Sequence, residues 1–256
     1  MPIIFASCNK VYKRIVSVVP SQTELLSFLG LENEVIGITK FCIYPNEWSL
    51  TKIRVGGTKN LNIQKILNLQ PDLIIANKEE NDREQIEYLS SLYDVYVSDI
   101  RNLQSSLDMI ADVGMMTDKN QDATLLISEI LKNFNSINIL PSTISVAYMV
   151  WKNPYMVAGG DTFISDMLRR CSFINAFGDI NRYPEILITD LLEKRCECLL
   201  LSSEPYPFKE SDIDALRSLI PGIKIILVDG EFFSWYGSRL LMAPSYFQQV
   251  INEILN

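Results

Sequence analysis

Residues 67–81 read LNLQPDLIIANKEEN, and residues 192–207 read LEKRCECLLLSSEPYP. In each stretch a helix-like segment leads into a short apolar block, at 73–76 and 199–201, and the chain then turns at polar residues that include glutamate. A continuous apolar block of this length is typical of a strand buried on both faces of a parallel sheet. We therefore expect both turns at the carboxyl edge of a sheet, where open α/β folds bind ligands. The pair predicts two similar lobes that face one cleft and favours capture of a small molecule over catalysis.

Strands and helices alternate along the rest of the chain as well. Predicted strands span 14–19, 35–39, 72–76, 95–98, 144–151, 155–158, 198–201 and 223–228. Predicted helices include 24–29, 62–69, 83–92, 163–170, 213–219 and 245–255. Ser21 and Glu24 have the spacing of a capping box at the start of the first helix, and residues 40–60 indicate a long irregular loop. The alternation predicts an α/β fold with two Rossmann-like lobes built on parallel sheets.

A long helix is predicted at 119–137, in the middle of the chain. Its apolar residues repeat at intervals of four and three, which indicates one buried face; they are Ala123, Ile127, Ile130, Phe134 and Ile137. At ~1.5 Å per residue this helix is about 30 Å long. We expect an N-terminal lobe at 1–102, connecting helices at 103–140 that include a rigid backbone helix, and a C-terminal lobe at 141–256. The alternative is an ordinary packing helix inside one domain.

Composition excludes several classes of protein. The chain has 31 acidic and 23 basic residues, a net charge of −8, and no histidine. An acidic surface disfavours nucleic acid as a partner. The lack of histidine removes His-dependent triads and nearly all ordinary zinc sites, so we predict no metal site. No apolar run approaches the roughly 18–20 residues that a membrane-spanning helix needs.

The cysteines and the N-terminus give weaker signals. The five cysteines are Cys8, Cys42, Cys171, Cys196 and Cys198. This odd number in a chain of this size does not indicate a disulfide framework, and the C-x-C pair is expected to pack in the core. The first ten residues lack a basic region, and their apolar stretch is shorter than an export signal requires. By themselves they predict a cytosolic chain, unless a leader was removed.

Aromatic residues collect in predicted loops of both halves. They are Tyr44, Trp48, Trp151, Tyr155, Tyr183, Tyr206, Phe208, Phe232, Phe233, Trp235 and Tyr236. Aromatic faces give a flat ligand a large contact area with little loss of entropy. The alternative is that these rings cover the cores beneath the loops.

Three glutamates, Glu79, Glu80 and Glu204, lie on the two matching turns. Two acidic turns on similar lobes could dock on arginines of a partner and orient the complex. The alternative is exposed charges at helix starts, favoured by the helix dipole. Glycoside hydrolysis needs two carboxylates at a defined separation, and nothing in the sequence brings Glu80 and Glu204 together. We predict no catalytic residues and no enzyme activity.

Several motifs carry a resemblance to a known family. In the first half they are RIVSVVPSQTELL from Arg14, Tyr44-Pro45, and PDLIIA from Pro71. In the second half they are Asn153-Pro154-Tyr155, the GGD at 159–161, Tyr183-Pro184, the DGEFF at 229–233 and the SRL at 238–240. Together they span the chain from Arg14 to its end. The chain resembles the helical-backbone substrate-binding proteins of ABC importers, and within them the cobalamin-binding branch.

The resemblance implies two α/β lobes joined by the long helix, with the ligand held between them. Tyr44 matches a tyrosine that lines the corrinoid site, and Phe232 stands near a cleft tryptophan of the second lobe. Asn77 and Thr58 fall at or near positions where the cobalamin binder has tryptophans. Glu79 or Glu80 falls near the glutamate that docks the first lobe on the permease. Glu204 is assigned to the second lobe from the internal pseudo-symmetry.

The prediction is therefore a monomeric, non-enzymatic protein that carries a corrinoid, cobalamin or cobinamide, to an ABC importer permease in the cell envelope. It has no intrinsic cofactor and does not span the membrane. The predicted ligand-binding residues are Tyr44, Asn77, Trp151, Tyr155, Tyr183, Phe232, Phe233 and Trp235. One alternative ligand is a siderophore or haem, with Tyr44, Cys42 or Met156 as an iron ligand. Another alternative is a cytosolic sensor or interaction protein of the same fold.

Overall fold

The computed structural model of the chain describes residues 10–138 and 143–256. Cys8 and the stretch assessed as an export signal lie outside these residues. Sheets of parallel strands that alternate with helices confirm the predicted α/β class.

The described residues fall into two compact units. The first contains the residues up to Ile100, then Gln104–Glu129 and Tyr236–Arg239. The second contains Arg101–Leu103, Ile130–Trp235 and Leu240–Asn256. The sequence did not indicate that four residues near the end of the chain, Tyr236–Arg239, belong to the first unit.

The first unit is built on a parallel sheet of five strands. Its strands and helices are β1 Ile15–Ser17, α1 Pro20–Phe28, β2 Val35–Ile38, α2 Asn46–Thr51, β3 Ile53–Arg54, β4 Gly56–Gly57, β5 Asn60–Leu61, α3 Ile63–Leu69, β6 Leu73–Asn77, α4 Arg83–Ser90 and β7 Val95–Ser98. The sheet order is β3-β2-β1-β6-β7, and β4 pairs with β5 in a separate two-stranded sheet. Strand β6 is buried at all five positions, as its unbroken apolar run predicts.

Helices α5, Leu103–Met116, and α6, Asn120–Phe134, follow in the chain. The predicted helix at 119–137 is thus observed with slightly shorter ends. Its predicted apolar face is buried at Ala123, Ile130 and Phe134. The role of α6 as a rigid connection stays a prediction.

The second unit is built on a sheet of four parallel strands and one short antiparallel strand. Its strands and helices are β8 Ile144–Trp151, β9 Met156–Val157, α7 Phe163–Arg170, β10 Phe173–Asn175, α8 Asp190–Glu193, β11 Cys198–Ser202, α9 Glu210–Leu219, β12 Lys224–Val228, α10 Gly230–Ser234 and α11 Ala243–Leu255, with a 3-10 helix at Ser238–Leu241. The parallel order is β10-β8-β11-β12, and β9 pairs antiparallel with β8. Strand β11 is buried along its whole length, as β6 is.

Two local predictions were wrong. The capping box does not form, because Pro20 occupies the first turn and the helix begins there, with Val19 as its N-cap. Proline is favoured at that position, since the amide hydrogen it lacks would have no partner within the helix. Residues 40–60 are not wholly irregular but contain α2 and three two-residue strands. Strand β3 pairs with β2, whereas β4 and β5 pair with each other. Strands of two residues are too short to show the alternation by which a sequence indicates a strand.

Polar side chains cap the N-termini of helices α4 and α7. Asp82 accepts the backbone N–H of Gln85 at the start of α4, and Thr162 accepts that of Ser165 at the start of α7. Such caps satisfy backbone donors that the helix leaves unpaired. Within the described ranges, no helix is both long and apolar enough to cross a membrane.

Candidate functional site

The two glutamate turns occupy equivalent places in the two sheets. Strand β6 lies between β1 and β7, and β11 lies between β8 and β12. Each strand ends in a small polar residue, Asn77 or Ser202, and each turn follows directly. The sequence prediction that both turns lie at the carboxyl edge of a parallel sheet is confirmed.

Asn77 shapes the first turn from inside the fold. Its Oδ1 accepts the backbone N–H groups of Glu79 and Glu80 at 2.8 and 3.1 Å. Its Nδ2 donates to the carbonyl oxygen and the hydroxyl of Ser98 at 3.2 and 3.0 Å. Only 2% of Asn77 is exposed. All four contacts are internal, so the observed role of this predicted ligand-binding residue is to hold the glutamate turn.

Two further side chains, those of Lys59 and Asn81, hold the same turn through hydrogen bonds to backbone carbonyls. Lys59 Nζ donates to the carbonyl oxygens of Glu79 and Asn81 at 2.6 and 3.2 Å. Asn81 Nδ2 donates to the carbonyl oxygens of Val18 and Thr58 at 3.0 and 3.1 Å. The turn therefore has a defined backbone conformation and can present its carboxylates in a fixed direction.

The second turn uses Ser202 in place of Asn77. The Ser202 hydroxyl donates to the Glu204 carbonyl at 2.6 Å and accepts the Glu204 N–H at 3.3 Å. Gly230, the first residue of α10, lies against this turn and donates its N–H to Ser203 Oγ at 2.9 Å. A Cβ atom at Gly230 would stand 2.4 Å from Ser202 Oγ and 2.7 Å from Glu204 Cγ. The close approach of α10 to the turn thus requires glycine.

Two of the predicted docking glutamates accept hydrogen bonds from aromatic residues of their own unit. Glu204 Oε1 accepts the Trp235 indole N–H at 2.8 Å and the Ser234 hydroxyl at 2.7 Å. Glu80 Oε1 accepts the Tyr236 hydroxyl at 3.0 Å. Burial, together with the charge of Glu80, raises the pKa of Tyr236 well above its ordinary value, so the phenol keeps its proton and donates.

Tyr44 stands on the loop after β2, and its ring covers the Arg239 guanidinium. The distance from Arg239 Cζ to the ring centroid is 4.6 Å. Arg239 in turn donates twice to Glu24, from Nε at 3.1 Å and from Nη2 at 2.8 Å. Burial raises the pKa of the Glu24 carboxyl, and Arg239 opposes that rise. Tyr44 is 38% exposed, so part of its ring surface remains accessible.

The predicted aromatic residues of the second unit have unequal exposure. Trp151 is 40% exposed and meets Tyr206 edge to face at 5.8 Å. Phe232 is half-buried and stacks on Tyr246 at 4.5 Å. Phe233 is fully buried and packs in the core. Exposed rings can contact a ligand, whereas Phe233 has no exposed surface for that purpose.

Taken residue by residue, the predicted ligand set divides into three groups. The exposed members are Tyr44 and Trp151. The half-buried members are Tyr155, Tyr183 and Phe232. The buried members are Asn77, Phe233 and Trp235, and two of these three hold the glutamate turns through hydrogen bonds. Ligand contact by any of them stays a prediction.

The cysteines that the structure describes are free thiols in buried positions. Burial raises the pKa of Cys196 to about 11 and that of Cys198 to about 12, and both pack in the core as predicted. Cys42 Sγ lies 3.1 Å from Thr23 Oγ1 and 3.2 Å from Thr39 Oγ1, and burial raises its pKa too. Its observed role is internal packing. Across residues 10–138 and 143–256, no group of three or more His, Cys, Asp or Glu side chains is placed to hold a metal ion.

Sequence reasoning missed the contribution of Glu24 and Arg239. The sequence places Glu24 in a capping box and Arg239 in a family motif, and it does not pair them. The two residues are 215 positions apart in the chain, and no local pattern pairs charges over such a distance. The isolated acidic residue on the otherwise uncharged helix α1 was the one available signal.

Comparison with known proteins identifies the family. The sequence model described as periplasmic binding protein matches residues 15–194, well over half of the chain. The vitamin B12-binding protein of Vibrio vulnificus strain CMCP6 is 26% identical over 196 residues, which cover 74% of this chain and 71% of that protein. The uncharacterized ABC transporter substrate-binding lipoprotein YvrC of Bacillus subtilis strain 168 is 31% identical over 182 residues, which cover 65% of this chain and 56% of that protein.

A solved structure shows the same fold. The periplasmic heme-binding protein RhuT from Roseiflexus sp. RS-1, in its apo form, has a TM-score of 0.81 and 19% sequence identity, with coverage of 95% of this chain and 99% of that one. These matches are to binding proteins, which supports the prediction that the chain is not an enzyme, and they confirm the resemblance read from the motifs. The chain belongs to the periplasmic binding protein family.

Proposed function

We propose that this protein captures a corrinoid-like ligand and delivers it to an ABC importer. The observation that carries the proposal is the similarity to a vitamin B12-binding protein over 74% of the chain. A second relative is named as an ABC transporter substrate-binding lipoprotein, which supports delivery to an importer. Because the proposed role is binding and release, it requires no catalytic group.

The exposed aromatic rings support a flat, ring-shaped ligand. Tyr44 in the first unit is 38% exposed and Trp151 in the second is 40% exposed. Rings with accessible faces add contact area at low entropic cost. The chain has no histidine to ligate cobalt, so the proposed recognition uses shape, stacking and hydrogen bonds.

Glu79, Glu80 and Glu204 are the proposed contacts with the permease. Each lies on a turn at the end of a central parallel strand, and the backbone of each turn is fixed by hydrogen bonds. Carboxylates held in this way can meet arginines with a defined orientation. Glu80→Gln and Glu204→Gln are expected to weaken permease binding without changing ligand affinity. Glu47→Gln and Glu210→Gln, on exposed residues in the same two units, are the matched controls.

A ligand panel tests the proposal directly. Purified protein is mixed with cobalamin, cobinamide, haem or a ferric siderophore, and thermal unfolding is followed. A ligand at ~100 times its dissociation constant adds about 2.7 kcal/mol of stability, which raises the midpoint by roughly 5–11 °C for a chain of this size. Stabilisation by a corrinoid that Tyr44→Ala reduces, and that Tyr88→Ala does not, is the expected result. Tyr88 is a 50% exposed tyrosine of α4 in the same unit. Stabilisation by no corrinoid would reject the proposal.

Haem is the second candidate, because Tyr44 carries a phenol on a residue that is 38% exposed. Tyrosine is an axial ligand of haem iron in some proteins. Cys42 is not carried into this candidate, since its thiol is buried against Thr23 and Thr39. Haem ligation would shift the Soret band on mixing, and Tyr44→Phe would abolish that shift while corrinoid binding would tolerate the change.

The proposed place of action is the cell envelope. The solved relative of the same fold is named as periplasmic. Fractionation of cells that produce the protein from its native gene, with immunoblotting, tests this placement. A purely cytosolic pool would exclude a transport role and favour a sensor or interaction protein of the same fold.

A further inference from the structure

The Tyr236–Arg239 segment is fixed to the first unit by contacts along its length. The Tyr236 hydroxyl donates to Glu80 at 3.0 Å, and the Gly237 N–H donates to Ser106 Oγ at 3.2 Å. A Cβ atom at Gly237 would stand 3.3 Å from Leu25 Cβ, so the segment passes close to helix α1. These contacts fix the backbone that leads to Arg239 and therefore the place from which its side chain extends.

The guanidinium of Arg239 has one well-defined orientation. Two of its nitrogens bind the two carboxylate oxygens of Glu24, at 3.1 and 2.8 Å. The side chains are 8% and 19% exposed. Bidentate pairing of this kind fixes the guanidinium plane as well as its position. Lysine cannot reproduce it, because an ammonium group is a point charge without a plane.

Tyr44, by contrast, lies in a part of the chain with little regular structure. No strand or helix includes it, and helix α2 begins two residues later at Asn46. Cys42 is buried and anchors the loop two residues before it. The Tyr44 ring itself lies against Arg239, with 4.6 Å between Arg239 Cζ and the ring centroid. Cation–π contacts are worth roughly 0.5–2 kcal/mol, depending on desolvation.

We propose that Arg239 is a positioning residue for ligand binding: paired with Glu24, it holds the Tyr44 ring so that the ring's exposed surface is ready for a flat ligand. This inference rests on the proposed function. A ring that is already oriented loses less freedom when the ligand arrives, which increases affinity without a new contact. Arg239 acts through Tyr44 in this arrangement and does not itself have to touch the ligand.

A double-mutant cycle tests the inference. Cobinamide, cobalamin and haem are the probes, and dissociation constants are measured by calorimetry for wild type, Arg239→Lys, Tyr44→Ala and the double variant. Arg239→Lys is expected to weaken binding roughly 2- to 30-fold when Tyr44 is present, and to have no effect when Tyr44 is alanine. Arg83→Lys, which alters an exposed ion pair with Glu87 in the same unit, is the matched control and should leave affinity unchanged.

A ligand-free measurement separates this inference from the proposed function. Protein labelled with 3-fluorotyrosine gives a fluorine NMR signal for Tyr44, assigned by its loss in Tyr44→Phe. Arg239→Lys and Glu24→Gln should both shift and broaden that signal, and Arg83→Lys should not. If no probe binds the wild-type protein, the proposed function fails, and the fluorine signal still decides whether Arg239 orients the ring.

Two results would overturn the inference. One is an unchanged Tyr44 fluorine signal in Arg239→Lys. The other is an equal loss of affinity from Arg239→Lys in the presence and absence of Tyr44, because general destabilisation of the unit would act alike in both backgrounds. Circular dichroism melts of each variant check that all four proteins are folded at the temperature of the binding experiment.

Discussion

Replacing Asn77 by alanine should destabilise the protein by about 3 kcal/mol. The substitution removes two hydrogen bonds donated to Ser98 and two accepted from the N–H groups of Glu79 and Glu80. Each such bond has a net value of roughly 1 kcal/mol, and a buried group left without a partner costs roughly 1–3 kcal/mol. Glu79 and Glu80 are half-buried, so water can replace part of the hydrogen bonding that their N–H groups lose. The estimate is therefore placed at the low end of the sum.

Thermal unfolding followed by circular dichroism measures the effect. A loss of about 3 kcal/mol lowers the midpoint by roughly 6–12 °C in a chain of this size. Lys78→Ala is the control in the same turn. Its ion pair with Asp99, at 2.6 Å and with side chains 39% and 25% exposed, is worth about 0–1 kcal/mol. If Asn77→Ala melts within about 2 °C of Lys78→Ala, the internal bonds of Asn77 do not stabilise the turn, and the reasoning is refuted.

Three further predictions concern the second unit. Gly230→Ala should displace the Glu204 turn, because the new Cβ would stand 2.4 Å from Ser202 Oγ; a crystal structure in which the turn keeps its position would contradict this. Trp235→Phe removes the indole N–H that binds Glu204 at 2.8 Å and should cost about 1.5–3 kcal/mol in urea unfolding, whereas an unchanged midpoint would show that this bond contributes nothing. Burial raises the pKa of Asp166, but the Leu103 N–H and two neighbouring arginines outweigh it and hold the pKa below the ordinary value of an aspartate. Ionised Asp166 therefore stabilises the folded protein above the ordinary aspartate pKa, and this stabilisation is lost as the pH falls through the folded-state pKa. Asp166→Asn should be less stable than wild type by about 3 kcal/mol at neutral pH, and the difference should shrink on acidification. A stability difference that does not depend on pH would refute this account.

The fold was largely predictable because its strongest signals are local. The apolar runs at 73–76 and 199–201 are buried strands, and the glutamates that follow them are at the strand ends, as the sequence indicates. The same logic failed at 40–60, where each strand has only two residues and shows no alternation to detect. It also failed at Pro20, where proline starts the helix before the expected cap.

The candidate site was less predictable, because its contacts join distant parts of the chain. Residue type alone selected Tyr44, Phe233 and Trp235 equally as ligand contacts. The structure separates them: Tyr44 is 38% exposed, Phe233 is fully buried, and Trp235 donates its N–H to Glu204. Separations such as the 215 residues between Glu24 and Arg239 leave no periodicity or spacing to detect. Periodicity in a sequence describes the faces of helices and strands, but not which distant side chains meet.

The Tyr236–Arg239 segment also determines when the first unit can be finished during protein synthesis. The ribosome makes the rest of that unit, up to Glu129, more than a hundred residues before it makes Arg239. Until then Glu24 is a carboxyl group without its arginine, and helix α1 lacks the backbone that passes beside Leu25. A chain released before Tyr236 contains all five strands of the first sheet and still cannot complete the unit. The four residues Tyr236–Arg239 thus complete a unit whose five sheet strands all lie before residue 100.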